Sequence, residues 1–275
     1  MVSLLIWPFI ACLILTGIHT YLGIHVVRRG VIFVDLALAQ MAALGSTLAI
    51  LSGHDLHDPE AYYISLGMTF LGAVFFALSR QRREIIPQEA IIGTIYVMSA
   101  AASLIVLDQA PGGTEHIRSL LVGNILTVTP KEVIKTALLY TAVGIFHWTF
   151  RKPFIMISFD PDQAISKQYR VRSWDLLFYL TFGLVVTSSV ALAGVLLVFS
   201  FLIVPALISL MLAKNIISRL WIGWGIGLLA SLFGLATSVA WDTPTGASIV
   251  CAFGLLFFFP AIGRFVWQST QKRNR

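Results

Sequence analysis

The sequence predicts an all-α polytopic membrane protein with about nine transmembrane helices, its N-terminus outside and its C-terminus inside. Three observations lead there. Of 275 residues, 57% are hydrophobic and only 12% charged, with a mean hydropathy of +0.86, whereas soluble domains carry about 25% charged residues. The charges gather in short clusters between apolar runs of one crossing length. All but three of the 19 basic residues then fall on one side of the membrane, which the positive-inside rule makes cytoplasmic. So much apolar surface has no place inside one water-soluble globule of this size. A soluble enzyme, a disordered tail and a disulfide-stapled secreted domain are excluded.

The elements follow from the gaps between charges. A hydrocarbon core about 30 Å thick needs about 20 helical residues. Runs free of Asp, Glu, Lys and Arg cover 1–27, 36–54, 61–79, 90–107, 136–150, 176–213, 220–241 and 243–263. The short run 136–150 is extended outward by Lys131 and Lys135, whose long stems reach the interface. The long run 176–213 suits two crossings with a reversal near Ser188–Gly194. The first run has no basic flank ahead of it and reads as a retained helix. Between the crossings, 52–61 and 108–131 are outer loops, and Ile117–Val128 within the second is expected as a short outer or re-entrant helix. The inner loop 151–175 is polar and proline-punctuated, and Asp160–Tyr169 inside it opens with Asp-Pro, a helix-start signal. With no linker and no convincing repeat, residues 1–275 form one membrane domain.

Ionisable residues at membrane depth point to function. Asp35, in VIFVDLALAQMAALG, is the clearest. It reads either as a helix-start acid satisfied by nearby donors or as a carboxylate on an ion path. Gln40 accompanies it, about 140° away around an ideal helix. The outer loop HDLHD offers His54, Asp55, His57 and Asp58 as oxygen and imidazole ligands for a divalent cation, or simply a solvated polar loop. His19 reads as a satisfied buried histidine. Cys12 and Cys251 lie in apolar runs and read as packing residues. Gly223 and Gly227 read as a small-residue packing face within a crossing. No Gly-Lys dipeptide occurs in the chain, so it carries no P-loop. It is expected to be no enzyme, and if ATP drives it, a partner subunit binds the nucleotide. The excess of positive charge is explained by topology, with no nucleic-acid partner required.

Several stretches resemble the membrane subunits of bacterial metal-type ABC importers, the zinc/manganese permease family. They are VVRRGVIFVDLALAQMAALG, PQEAIIGTIYVMSAA, SLLVGNILTVTP, SFDPDQAISKQYRVRSWDLL, GVLLVFSFLIVPALISLML and DTPTGASIVCAFGLLFF, and they cover most of the chain. The resemblance implies an ABC-importer permease fold of the metal/cobalamin type in the bacterial inner membrane. It further implies a homodimer bound to two cytoplasmic ATPases, served by an extracytoplasmic metal-binding protein, surrounded by lipid, and holding no cofactor beyond the transported divalent cation. Asp160, Pro161, Asp162, Gln163, Ala164, Ile165 and Tyr169, within a segment at about 158–173, would dock on the ATPase. Glu115, His116 and Asp242 would face the binding protein. Asp35 matches the family's pathway acid, but the histidine expected four residues later is Ala39. Oxygen ligands remain, which favour harder ions such as Mn²⁺ over Zn²⁺. An ABC permease for a metal chelate or cofactor, a membrane metalloenzyme using HDLHD, and a secondary transporter stand as alternatives.

Overall fold

The computed structural model describes residues 2–54, 58–80, 86–108 and 125–273, and every regular element among them is helical. They are α1 (Val2–Arg29), α2 (Val34–Leu51), α3 (Pro59–Ser79), α4 (Gln88–Asp108), α5 (Pro130–Thr149), α6 (Arg151–Phe159), α7 (Pro161–Ser166), α8 (Val171–Ala193), α9 (Val195–Leu212), α10 (Ile216–Trp241) and α11 (Thr245–Arg273). Seven of them are long and apolar enough to cross a membrane, eight if α5 and α6 count as one span bent by 77°. The apolar part of α11, Thr245–Phe259, is shorter, so nine crossings remain the expectation of the sequence. The predicted helix at Ile117–Val128 lies mostly outside the described residues; Ile125–Thr127 form one 3₁₀ turn.

Local chemistry sets the boundaries. At the reversal predicted within 176–213, Gly194 takes φ 80° and ψ 160°, a conformation open essentially to glycine alone. It separates α8 from α9. The Thr-Pro that closes SLLVGNILTVTP starts α5: Thr129 and Glu132 form a reciprocal capping box, with Pro130 at the first helical position. The inner loop differs from expectation, because Arg151–Phe159 is a helix with Phe154, Ile157 and Ser158 buried. Pro153 sits in its first turn, where a missing N–H costs nothing.

α1 is the spine, packed along α9 and α10, while α2 lies against α3 and α4, and α3 against α8. Small residues permit these approaches. A Cβ added at Gly223 or Gly227 would stand 2.3 Å from the methyl of Thr20 or Thr16 on α1, so the predicted packing face is the α1–α10 contact. Without a hydrophobic drive between helices in lipid, such close backbone packing is what holds them. The outward faces are apolar: Leu138, Ile145 and Trp148 on α5, and Val97, Met98 and Ile105 on α4, are each more than 60% exposed, as a lipid-facing surface requires. Cys12 is buried as expected, but Cys251 is exposed on α11, and both are free.

Candidate functional site

Asp35 stands in the first turn of α2, 1% exposed, and neither carboxylate oxygen has a hydrogen-bond partner among the described residues. The helix start is instead served by Glu89 of α4, whose carboxylate accepts from the Phe33 backbone N–H at 2.9 Å. Of the two readings of Asp35, the acid satisfied by neighbouring donors does not describe this geometry. A charged carboxylate buried without donors costs several kcal/mol or more.

One turn above Asp35 comes Ala39, 1% exposed. Ala42, Ala43 and Ser46 continue the same face at helical spacing. They line a cavity of about 60 Å³ with Tyr62 and Ser65 of α3 and Thr187 of α8, enough for several water molecules. Gln40 is buried as well, but in the regular helix it leaves the axis on another side, and the structure does not bring it to the face of Asp35.

His19 is fully buried, with Nδ1 2.9 Å from the Leu15 carbonyl and Nε2 3.1 Å from Ser189 Oγ. The carbonyl requires the proton on Nδ1, which leaves Nε2 an acceptor that shares the single Ser189 proton with the Val185 carbonyl, 2.6 Å from the same oxygen. Ser189 is in turn hydrogen-bonded to the Tyr140 hydroxyl, which accepts from Ser188 at 3.3 Å. Both ring nitrogens of His19 thus have polar neighbours within hydrogen-bond distance.

At the α2–α3 connection, ligand atoms of His54, Asp58 and Glu60 lie within 4.8 Å of one another. His57 falls outside the described residues, and Glu60 takes the place the sequence reading gave it. Asp58 and Glu60 are also the N-cap residue and a first-turn acid of α3, positions that favour carboxylates in any helix. Asp242 is exposed at the turn after α10, in the left-handed conformation with φ 51°. Glu115 and His116 lie outside the described residues.

The predicted docking segment is a small, rigid projection. Asp160 caps α7 by accepting from the Gln163 N–H at 3.0 Å, and Pro161 follows at the first helical position. Asp160, Pro161, Asp162, Gln163 and Ile165 are exposed, whereas Ala164 is buried and anchors the helix. Gln168 closes it at φ 59°, with Tyr169 N–H donating to the Ala164 carbonyl and Gln168 N–H to that of Ile165, the paired bonds of a Schellman cap.

Sequence reasoning missed the charged centre beside this segment. Asp175 of α8 is fully buried, its two oxygens taken by Arg29 of α1 and by Arg80 just past α3. Arg29 had been counted as a topological charge, yet its side chain is 1% exposed. The available signal was an isolated acid opening a long apolar run on the basic side of the chain.

The sequence model of the ABC 3 transport family matches residues 1–264. A probable iron transport system membrane protein of Haemophilus influenzae is 26% identical over 88% of this chain and 86% of its own length. The manganese transport system membrane protein MntC of Listeria innocua is 25% identical over 83% of each chain. Among solved structures, PsaBC from Streptococcus pneumoniae, in complex with Fab, superposes with a TM-score of 0.78 at 22% identity, covering 94% of this chain and 90% of that one.

Proposed function

This chain belongs to the ABC 3 transport family, and from that premise we propose that it is the membrane-spanning subunit of an ATP-driven importer for a divalent metal cation. It works as a homodimer, with two cytoplasmic ATPases at the end that carries α7 and a metal-binding protein at the end that carries Asp242. Manganese is the favoured cargo. Asp35 offers oxygen, Ala39 offers no imidazole, and hard oxygen donors suit Mn²⁺ better than Zn²⁺; manganese and iron are also the metals named for the relatives above.

The observation that carries this reading is the buried, unpartnered carboxylate of Asp35, two helical turns along α2 from residues that line a small cavity. His54, Asp58 and Glu60 gather the ion at the outer mouth, the hydroxyl-bearing cavity passes it inward, and Asp35 receives it. Weak oxygen coordination lets the ion both bind and leave. ATPase closure, felt through α7, rocks the helices between outward- and inward-open states.

The test is uptake of Mn²⁺ by the permease–ATPase complex in liposomes loaded with the binding protein outside. ATP-dependent uptake is expected in the native complex. Asp35→Asn is expected to abolish it while the ATPase still co-purifies. Uptake by the permease alone down an ion gradient would identify a secondary transporter instead, and normal uptake by the Asp35 variant would remove that residue from the path. Alanine at Asp160 and Gln163 is expected to release the ATPase.

A further inference from the structure

The buried charge at Asp175 is shared among four parts of the fold. Its Oδ2 accepts from Arg80 Nη1 at 2.6 Å and its Oδ1 from Arg29 Nη1. Arg29 lies with its Cζ 4.0 Å from the centre of the Phe178 ring, and its Nε donates to Ser158 Oγ at 2.8 Å. The serine hydroxyl is also 2.8 Å from His25 Nδ1. The hydroxyl accepts from Arg29 and keeps a second lone pair and its proton for the imidazole, whichever tautomer His25 takes. A connected chain therefore runs from Arg29 of α1 through Ser158 of α6 and back to His25 of α1.

Two guanidiniums on one buried carboxylate, Arg29 buried and Arg80 partly exposed, leave an excess of positive charge, an expensive feature that a neutral, well-packed junction would avoid. What it secures is direction. Charge-assisted hydrogen bonds fix geometry more tightly than apolar contact. Here they converge on Ser158, three residues before the docking helix α7 begins. The helices they join also line the passage: α3 carries Tyr62 and Ser65, and α8 carries Thr187. α7 is otherwise exposed apart from Ala164.

We infer that Asp175, held between Arg29 and Arg80 and linked through Ser158, is the positioning residue that makes the docking segment and the passage helices move as one body. This rests on the reading of α7 as the ATPase-docking helix. Asp175 touches neither ion nor ATPase; it acts by holding Arg29, and Arg29 by holding Ser158.

The experiment uses the permease–ATPase complex in liposomes with the binding protein and Mn²⁺, and reads ions taken up per ATP hydrolysed. Ser158→Ala removes one hydroxyl and the link to α6 while leaving the ion pairs in place. It is expected to lower that ratio at least fivefold, with the ATPase still co-purifying at native stoichiometry. Asp175→Asn is expected to lower it further, and Asp175→Glu to restore part of it. A native ratio in Ser158→Ala overturns the inference, whether or not Asp175→Asn folds. Loss of the ATPase from Ser158→Ala also overturns it, because the serine would then be acting in docking itself. The underlying reading fails separately, if Asp160→Ala with Gln163→Ala leaves ATPase binding intact.

Discussion

His147 of α5 and Phe154 of α6 stack face to face, their rings 4.2 Å apart and 13° from parallel. This stack lies across the 77° elbow between the two helices. It is tied outward as well: His147 Nε2 bonds Thr181 of α8 at 2.8 Å and Nδ1 bonds Tyr21 of α1 at 3.3 Å. Thr181 spends its proton on the carbonyls of its own helix, so Nε2 is the donor and Nδ1 accepts from the tyrosine. One imidazole thus joins three crossings to the helix that leads into α7.

Replacing His147 with alanine is expected to loosen the elbow. The aromatic pair contributes on the order of 1 kcal/mol, and a lost hydrogen bond that leaves a buried partner unsatisfied about 1–3 kcal/mol. A thermal-unfolding midpoint in detergent should fall clearly for His147→Ala and less for His147→Phe, which keeps the stack. Equal midpoints for the two variants would show that the ring contact does not hold the bend.

Ala39→His restores an imidazole one turn above Asp35. Borderline ligands shift preference from Mn²⁺ toward Zn²⁺, so Zn²⁺ should inhibit Mn²⁺ uptake at lower concentration in the variant than in the native complex. Competition curves on folded, ATPase-bound material check this. Superimposable curves would place residue 39 off the ion's route.

Within the Gly-Trp-Gly-Ile-Gly run of α10, neighbouring glycines are expected to behave oppositely. Gly227→Ala drives a methyl group into Thr16, while a Cβ at Gly225 meets nothing within 4 Å. Overpacking costs about 1–3 kcal/mol; at a half-buried helical position with open space, alanine for glycine gains up to about 1 kcal/mol. Unfolding midpoints should move down for the first and hold or rise for the second.

Gln168 closes α7 with a left-handed backbone, φ 59°, which costs a residue with a Cβ about 1–2 kcal/mol and glycine almost nothing. Gln168→Gly should therefore firm the cap, seen as slower hydrogen exchange at the Tyr169 amide bonded to Ala164. Faster exchange would mean that the glutamine side chain, not the backbone bonds, stabilises the turn.

Much of this was legible in the sequence because membrane chains confine charge. Asp35 announced itself as an acid inside an apolar run, the breaks between runs marked most helix ends, and Asp-Pro marked the start of α7. What escaped depends on partners far apart in the chain. Asp175 sat at the edge of a run, where an acid is unremarked, and its significance comes from Arg29, 146 residues away. Arg151–Phe159 was read as loop because Arg, Lys and Pro open it, although Phe154 and Ile157 already gave it a buried face. Glu89 was visible only as part of a family pattern; its use as a cap for α2 required the fold.

Between the outer donors and Asp35, the wall supplied by α2 is methyl groups and one hydroxyl: Ala39, Ala42, Ala43 and Ser46. On the proposed path a dication would meet few donors on this wall and hydroxyls only from Ser46 and, across the cavity, Tyr62, Ser65 and Thr187, so it would keep part of its water until it reached Asp35. Discrimination among metals would then be decided at the terminus of the journey, and the corridor itself would govern how fast the cargo passes.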